Sequence, residues 1–246
     1  MNAPTWWPDP IGPTRVIVPL VAGTVEEAEQ QARAAAQSDA DLVEWRADTL
    51  GVPLQAATLA VIADGLRELV APKPLLFTWR SGDEGGLAAP EADDDYAAIV
   101  GAVVQARTAN LVDVQVRHPA ARGLFATARD RKLPVVGSWH DTAATPPVAQ
   151  IVDALQQAES MGAAVAKVAV TPHDQADVVT LLLASVRAID ALSRPFITVS
   201  MGDAGLISRV FAGWFGSDAT FASLGTPSAP GQISLAELQE MWAQLP

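Results

Sequence analysis

Eight short apolar runs alternate with longer helical runs along this chain, and that rhythm limits the folds it can adopt. The short runs are rich in Val, Leu and Ala and have the length of buried strands. Proline precedes or opens several of them, where a missing amide hydrogen costs least. The predicted strands cover residues 15–21, 41–47, 74–80, 111–116, 134–140, 165–170, 195–201 and 220–225.

Helical segments fill the intervals between these strands and follow the last one. Two of them have the pattern of a capping box, because Glu27 lies three residues after Thr24 and Glu237 lies three residues after Ser234. The predicted helices cover residues 24–37, 54–70, 90–109, 119–131, 147–161, 175–192, 204–215 and 234–245.

Eight strand–helix units in 246 residues match the size and rhythm of a (β/α)8 barrel. An open doubly wound sheet is the alternative. That fold usually has a glycine-rich phosphate turn after its first strand, whereas residues 21–24 contain a single glycine. We therefore predict an α/β protein with one (β/α)8 TIM-barrel domain, which carries the active site, over residues 15–246. The proline-rich residues 1–14 are predicted to form an extended tail or a plug over the barrel bottom.

The composition excludes several classes of function. The chain has no cysteine and three widely spaced histidines, so neither disulfides nor thiolate or histidine-rich metal sites are expected. A formal net charge of −12 disfavours binding to nucleic acid or to an anionic membrane, and no apolar run approaches the length of a membrane span. The first residues lack the charged start of a signal peptide, so we expect a cytoplasmic protein.

Polar side chains recur at the carboxyl ends of the predicted strands, spaced by two with an apolar residue between them. Alternate residues of a barrel strand point inward, and barrel active sites form at this end. Polar groups gathered inside a barrel are costly unless they bind something, so the pattern indicates a site and leaves the intervening tryptophans facing the helices. The segments are Glu44-Trp45-Arg46-Ala47-Asp48, Thr78-Trp79-Arg80, Asp113-Val114-Gln115, Ser138-Trp139-His140 and Val165-Ala166-Lys167.

Lys167 is one of three lysines in the chain and lies within the apolar run 163–170. Burial should lower its pKa, and a neutral amine is a nucleophile that condenses with a ketone or an aldehyde. A structural lysine that pairs with an acid or extends to water is the alternative for a single strand residue. The polar residues on the neighbouring strands favour the nucleophile.

His140 lies one strand before Lys167 and is the candidate general acid and base, because its ordinary pKa lies near neutral pH. Glu84 follows the third strand and is a candidate partner that fixes the histidine tautomer; a solvated loop acid is the alternative. Arg209 follows the seventh strand and suits a carboxylate, which this acidic chain can attract only through a local cation. Residues 225–232 are rich in Gly, Pro and Ser and form a candidate lid.

An ordered set of short segments spans nearly the whole chain: Glu44-Trp45-Arg46, Thr78-Trp79-Arg80-Ser81, Glu84-Gly85-Gly86, Ser138-Trp139-His140-Asp141, Lys167-Val168-Ala169, Met201-Gly202, Ser208-Arg209 and Ser228-Ala229-Pro230-Gly231-Gln232. This set resembles the type I 3-dehydroquinate dehydratase family. That family is a (β/α)8 barrel that removes water from 3-dehydroquinate to give 3-dehydroshikimate in the shikimate pathway of aromatic amino acid biosynthesis. The resemblance implies a carbon–oxygen lyase without a metal or organic cofactor, and the family is commonly homodimeric.

The resemblance also implies a role for each matching residue. Lys167 forms a Schiff base with the substrate ketone, His140 takes the proton beside the imine and then protonates the departing hydroxyl, and Glu84 orients His140. The implied substrate-binding residues are Glu44, Arg46 and Arg80 at the ring hydroxyls, and Arg209, Ser228 and Gln232 at the carboxylate.

One position departs from the family. The fourth strand ends in Asp113-Val114-Gln115, where the family more often carries a second acid. Gln115 keeps the shape and the hydrogen bonding of an acid but removes its charge, which changes the electrostatics expected around Lys167 and His140. We therefore expect Gln115→Glu to change the pH–rate profile more than the fold.

Two other functions stay open on the residues alone. A class I aldolase on the same barrel would need a phosphate site in the last two βα loops. A non-catalytic sensor of the same ligand should lose the lysine or the histidine, and both are present.

Overall fold

The computed structural model describes residues 14–51, 55–87, 95–225, 229 and 231–245. Within these residues, eight parallel strands alternate with eight helices in one nearly closed barrel. The predicted single-domain TIM-barrel fold is therefore confirmed, and the open doubly wound sheet is not observed. Most of the predicted tail, residues 1–13, lies outside the described residues.

The first seven strands pair in chain order around the barrel, and the eighth strand pairs with the first. The barrel closes between the last two strands, where the amide of Asp218 donates to the carbonyl of Phe196 at 2.9 Å. The strands are β1 Arg15–Leu20, β2 Leu42–Arg46, β3 Leu75–Thr78, β4 Leu111–Gln115, β5 Val135–Asp141, β6 Val165–Val170, β7 Phe196–Ser200 and β8 Ala219–Phe221.

The helices surround the barrel, and the two with predicted caps begin one residue after Thr24 and Ser234. Ser234 and Glu237 form the complete capping box, whereas at Thr24 the Glu27 carboxylate accepts a hydrogen bond from Gly23 instead of from the cap residue. The helices are α1 Val25–Gln37, α2 Ala56–Val70, α3 Tyr96–Ala106, α4 Ala121–Asp130, α5 Val148–Met161, α6 Gln175–Ala191, α7 Leu206–Val210 and α8 Leu235–Ala243.

The seventh helical segment differs from its prediction. The single helix expected over 204–215 is a five-residue α-helix, α7, between two short 3-10 turns, Asp203–Gly205 and Ala212–Phe215. A β-carbon at Gly205 would lie 2.1 Å from the carbonyl oxygen of Ser200, so the turn packs directly against the end of β7. This close backbone contact holds residues 203–205 in a tight turn, so the α-helix begins only at Leu206. The last strand also ends at Phe221 rather than at the predicted residue 225.

Apolar side chains fill both faces of the strands. Trp45, Trp79, Val114 and Trp139 lie in the layer between the strands and the helices, as the alternation predicted. A second cluster fills the lower interior of the barrel with residues such as Leu42, Leu76, Leu111, Val136, Val165 and Ile197. The next inward position is apolar on β7, at Val199, and polar on the other five strands, with Glu44, Thr78, Asp113, Ser138 and Lys167.

No helix within the described ranges is long and apolar enough to cross a membrane.

We expect Trp45→Ala to lower the free energy of unfolding by about 3–5 kcal/mol, because it removes a fully buried ring that contacts Phe77 edge-on at a centroid distance of 5.5 Å. Trp214 is the matched control: its side chain is 56% exposed, and Trp214→Ala should cost less than about 1 kcal/mol. Urea unfolding followed by circular dichroism measures both, and equal losses would contradict this packing.

Candidate active site

A cavity of about 320 Å³ opens at the carboxyl end of the barrel. Its walls come from the ends of β2, β3, β5, β6, β7 and β8 and from the loops that follow them. Eight of the nine predicted site residues line it, namely Glu44, Arg46, Arg80, Glu84, His140, Lys167, Arg209 and Gln232. The ninth, Ser228, lies outside the described residues.

Lys167 projects from β6 into this cavity and is 7% exposed. Its ammonium group lies 4.4 Å from the centre of the Phe221 ring, and it forms no ion pair with any residue that the structure describes. Burial lowers the pKa of Lys167 below its ordinary 10.5; Glu44 acts in the opposite direction, and Arg80 lowers the pKa further. The surroundings therefore favour the neutral, nucleophilic amine.

Glu84 and His140 form the hydrogen bond that the sequence suggested. The Glu84 Oε2 atom lies 2.8 Å from His140 Nδ1 and also accepts the backbone amide of His140 at 3.1 Å. When the carboxylate is ionised it accepts the Nδ1 proton, which leaves Nε2 as the ring nitrogen with a free lone pair. The arrangement thus selects one tautomer of the histidine.

Burial shifts both members of this pair toward their neutral forms. The pKa of His140 falls well below 6.5, because burial and the nearby cations Arg80 and Lys167 disfavour the imidazolium. Burial raises the pKa of Glu84 to about 7, although Arg80 opposes that shift. Neutral histidine therefore predominates at neutral pH and is ready to accept a proton.

Arg80 contacts three polar groups at the cavity wall. Its guanidinium contacts Asp113 at 2.9 Å and Glu84 at 3.1 Å, and it donates to Ser138 Oγ at 2.9 Å. Ser138 in turn donates to Asp113 at 2.7 Å. Burial disfavours the charged arginine, but Asp113 and Glu84 outweigh burial and raise its pKa. The sequence placed Asp113 at a strand end, but only the structure reveals this partnership.

Asp48 is a second buried acid, and its role was not evident from the sequence. It receives two hydrogen bonds from Arg46, at 2.8 Å from Nε and 2.7 Å from Nη2, and a third from the amide of Leu87 at 3.2 Å. The bidentate pair fixes the plane of the guanidinium at the cavity wall. The only sign of this ion pair in the sequence was the spacing of two between Arg46 and Asp48. Asp48 lies in the short 3-10 turn that follows β2.

Glu44 lies on the wall between Arg46 and Lys167. Thr78 Oγ1 donates to Glu44 Oε1 at 2.8 Å, so the neighbouring strand fixes the carboxylate. Its negative charge favours the protonated form of Lys167 and is the main influence that opposes the effect of burial on that amine.

Arg209 enters the cavity from α7 and is 2% exposed. It is the fourth of the five residues in this helix. Burial lowers its pKa to about 10, a cost that a bound anion would offset.

The loop that carries Gln232 packs tightly on the loop after β7. Gly231 has a φ of +70°, and a β-carbon there would lie 2.1 Å from the carbonyl oxygen of Gly202. This close approach of two backbones needs glycine, and it brings Gln232 to the same cavity as Arg209.

Gln115, the residue that departs from the family pattern, does not line the cavity. Its side chain makes two hydrogen bonds to Ser81, at the start of the loop that carries Glu84. Among the residues that the structure describes, no three histidine or acidic side chains are grouped so that they could hold a metal ion.

Known proteins resemble this chain in sequence and in fold. The family model described as type I 3-dehydroquinase matches residues 16–245. The 3-dehydroquinate dehydratase of Salmonella agona is 36% identical over 231 residues, which cover 93% of this chain and 91% of that protein. The solved 3-dehydroquinate dehydratase of Geobacillus kaustophilus has a TM-score of 0.86 at 30% identity and covers 94% of this chain and 90% of its own. The type I enzyme of Clostridium difficile, solved with covalent modified comenic acid, has a TM-score of 0.86 at 30% identity, with 94% and 92% covered.

We expect Lys167→Met to increase the free energy of unfolding at neutral pH. The pKa of Lys167 is lower in the folded than in the unfolded chain, so the folded state binds this proton less tightly and loses stability wherever the unfolded lysine is protonated. The gain should therefore shrink as the pH rises toward 10.5, the ordinary lysine value.

The matched control is Lys132→Met, because Lys132 is exposed and should give no comparable gain. Thermal unfolding of both variants across the pH range measures the difference. A Lys167→Met protein that is less stable than the parent at neutral pH would contradict the unfavourable burial of this cation.

Proposed function

The chain belongs to the type I 3-dehydroquinase family, and from that premise we propose that it dehydrates 3-dehydroquinate to 3-dehydroshikimate through a Schiff base on Lys167. The observation that carries the proposal is one cavity that holds a buried lysine, a histidine hydrogen-bonded to Glu84 and a buried arginine. The relatives are named as dehydratases, so the enzyme is a hydro-lyase of the shikimate pathway.

The first step is condensation of Lys167 with the substrate ketone. The neutral amine adds to the carbonyl carbon, and the carbinolamine then takes up a proton and loses water to leave an iminium ion. An iminium is an electron sink, so it acidifies the carbon next to it. Burial supports this step because it lowers the pKa of the amine, and the covalent modified comenic acid in the Clostridium difficile relative is consistent with covalent chemistry in this family.

His140 carries both proton transfers in the second step. Its Nε2 atom accepts the proton from the carbon beside the iminium, and the electron pair moves to the iminium to form an enamine. The enamine expels the hydroxyl group one carbon further on, which takes the same proton and leaves as water. Hydrolysis of the product imine then releases 3-dehydroshikimate and restores the free Lys167 amine.

Glu84 holds the histidine in the tautomer that this step requires. When Glu84 is ionised, it also stabilises the imidazolium that forms once His140 has taken the proton. Arg80 contacts the same carboxylate oxygen at 3.1 Å, which limits the rise in the pKa of Glu84.

The substrate carboxylate is proposed to bind Arg209 and Gln232, together with Ser228 from the same loop. A buried guanidinium binds an anion strongly because little water competes for it, and this local cation counteracts the acidic chain as a whole. The ring hydroxyls are proposed to contact Glu44, Arg46 and Arg80 on the opposite wall. No metal or organic cofactor has a part in this reaction.

The two alternatives drawn from the residues alone are set aside. An aldolase and a non-catalytic sensor both conflict with relatives that are named as dehydratases across nine-tenths of the chain. A sensor would also not need the Lys167 and His140 pair.

We expect purified protein to convert 3-dehydroquinate to product, with a rise in the absorbance of the enone. Lys167→Ala should abolish turnover, because no other lysine lines the cavity. Borohydride added with the substrate should reduce the imine and leave one covalent adduct on Lys167, which mass spectrometry of peptides locates.

Lys132→Ala serves as the control, and it should keep both turnover and the adduct. Substrate that binds without an enone signal would indicate a sensor, and turnover of sugar phosphates instead would indicate an aldolase. Normal turnover by Lys167→Ala would refute the imine mechanism.

We further propose that two copies of the chain form a homodimer through the outer face of α6. Val179, Leu183, Val186 and Ile189 lie on this helix and are between 42% and 61% exposed. Their spacing gathers them on one side of the helix. Such a contiguous apolar face is unusual on a chain with net charge −12, and a twofold contact would cover it in both copies.

Leu183→Glu should therefore convert a dimer to a monomer, because it introduces a charge into the apolar contact. The control is Val61→Glu on α2, which is 72% exposed and lies away from this face. Light scattering after size exclusion gives the mass of each protein. A dimer that persists in Leu183→Glu would exclude the α6 face, and a monomeric parent would exclude the dimer itself.

A further inference from the structure

Ser81 is the residue on which the loop bearing Glu84 closes. Residues 81–87, called here the Glu84 loop, follow the end of β3. The carbonyl oxygen of Ser81 accepts the amide of Glu84 at 3.1 Å and the amide of Gly86 at 2.8 Å. The position of Ser81 therefore determines the position of the backbone at Glu84.

The loop has little freedom to change its own shape. Gly85 has a φ of +81°, and a β-carbon at Gly86 would lie 1.8 Å from the carbonyl oxygen of Arg80. The turn is thus packed against the chain that enters it. Its position relative to the barrel must then depend on what holds Ser81.

Gln115 holds Ser81 with both ends of its side-chain amide. Its Oε1 atom accepts the Ser81 amide at 2.9 Å, and its Nε2 atom donates to Ser81 Oγ at 2.7 Å. Gln115 is itself 3% exposed, and its backbone amide donates to the hydroxyl of Tyr96 at 2.8 Å. The side chain therefore extends from a fixed strand end to a fixed point of the loop.

We propose that Gln115 is a positioning residue for the dehydration, which through Ser81 holds Glu84 at hydrogen-bond distance from His140. The inference rests on the reaction proposed above. Glu84 and His140 lie 2.8 Å apart, so a displacement of about 1 Å would lengthen that bond beyond useful range. Histidine would then lose the partner that fixes its tautomer and stabilises its protonated form.

The test compares Gln115→Met with Asn110→Leu, two apolar replacements of similar size. Asn110 is a matched control, because its Oδ1 atom accepts the amide of Leu75 at 2.9 Å and so joins the same two strands at the opposite end of the barrel. Gln115→Met should lower kcat about tenfold or more and leave KM within about threefold. Asn110→Leu should change neither, even where both lose thermal stability.

Imine trapping separates positioning from general damage. Strand β6 positions Lys167, and Gln115 binds Ser81 instead. The imine should therefore still form in Gln115→Met, and borohydride should trap the substrate on Lys167. Slow turnover with normal trapping is the expected signature. Loss of trapping in parallel with turnover would overturn the proposal.

Gln115→Glu tests whether the hydrogen bonds or the neutral amide matter. A carboxylate accepts both the Ser81 amide and the Ser81 hydroxyl, so kcat at its optimum should stay within about threefold of the parent. The added charge should raise the pKa of His140 and move the acid limb of the kcat/KM profile to higher pH. The charged groups that surround the Glu84–His140 pair are Arg46 from β2, Arg80 from β3, Asp113 from β4 and Lys167 from β6.

Ser81→Ala provides a second route if Gln115→Met does not fold. It removes only the hydroxyl partner, so a several-fold fall in kcat is expected. Full kcat in Gln115→Met, or full kcat in Ser81→Ala if Gln115→Met does not fold, would overturn the proposal. A parent protein that does not dehydrate 3-dehydroquinate would instead refute the proposed function, which keeps the two failures distinct.

Discussion

The bridge that Arg80 forms between Asp113 and Glu84 is the interaction on which the rest of the cavity depends. A low-dielectric interior would not hold two carboxylates so close together without a cation between them. The same cation disfavours protonation of Lys167 and His140, so one guanidinium both permits the acids and disfavours the charged forms of the proposed nucleophile and base. The ion pairs of Arg80 therefore stabilise the buried acids and also influence the protonation of Lys167 and His140.

The barrel makes this network possible because it separates apolar and polar layers along each strand. Inward positions near the amino ends carry Leu, Val and Ile, and the next inward positions include the ionisable groups Glu44, Asp113 and Lys167. This apolar layer lies beneath the site, and its buried side chains exclude water from that part of the barrel interior. Excluded water strengthens the influence of each charge on its neighbours. The unfavourable burial of Lys167 is therefore a cost in stability that the proposed chemistry requires.

The loops bring in the groups that the strands do not supply. Two backbones meet closely at Gly202 and Gly231, and the short α7 directs Arg209 into the cavity. On the other side, Asp48 joins Arg46 to the end of the Glu84 loop, and Gln115 joins its start to β4. Buried side chains from neighbouring strands therefore hold both ends of this loop, which explains how a loop can keep Glu84 in register with His140.

The sequence by itself determined the barrel, its single domain and most of the residues around the cavity, because strand periodicity dictates which side chains share the inner face. It also pointed to Lys167 through the cost of burying an amine. Only the tertiary structure decided the partnerships of Asp113 with Arg80, Asp48 with Arg46 and Gln115 with Ser81. Each of these contacts depends on the register of the strands and the path of a loop. A pattern in the linear sequence contains neither. The break in the helix predicted over 204–215 has the same origin, since a close backbone approach there outweighed local helical preference.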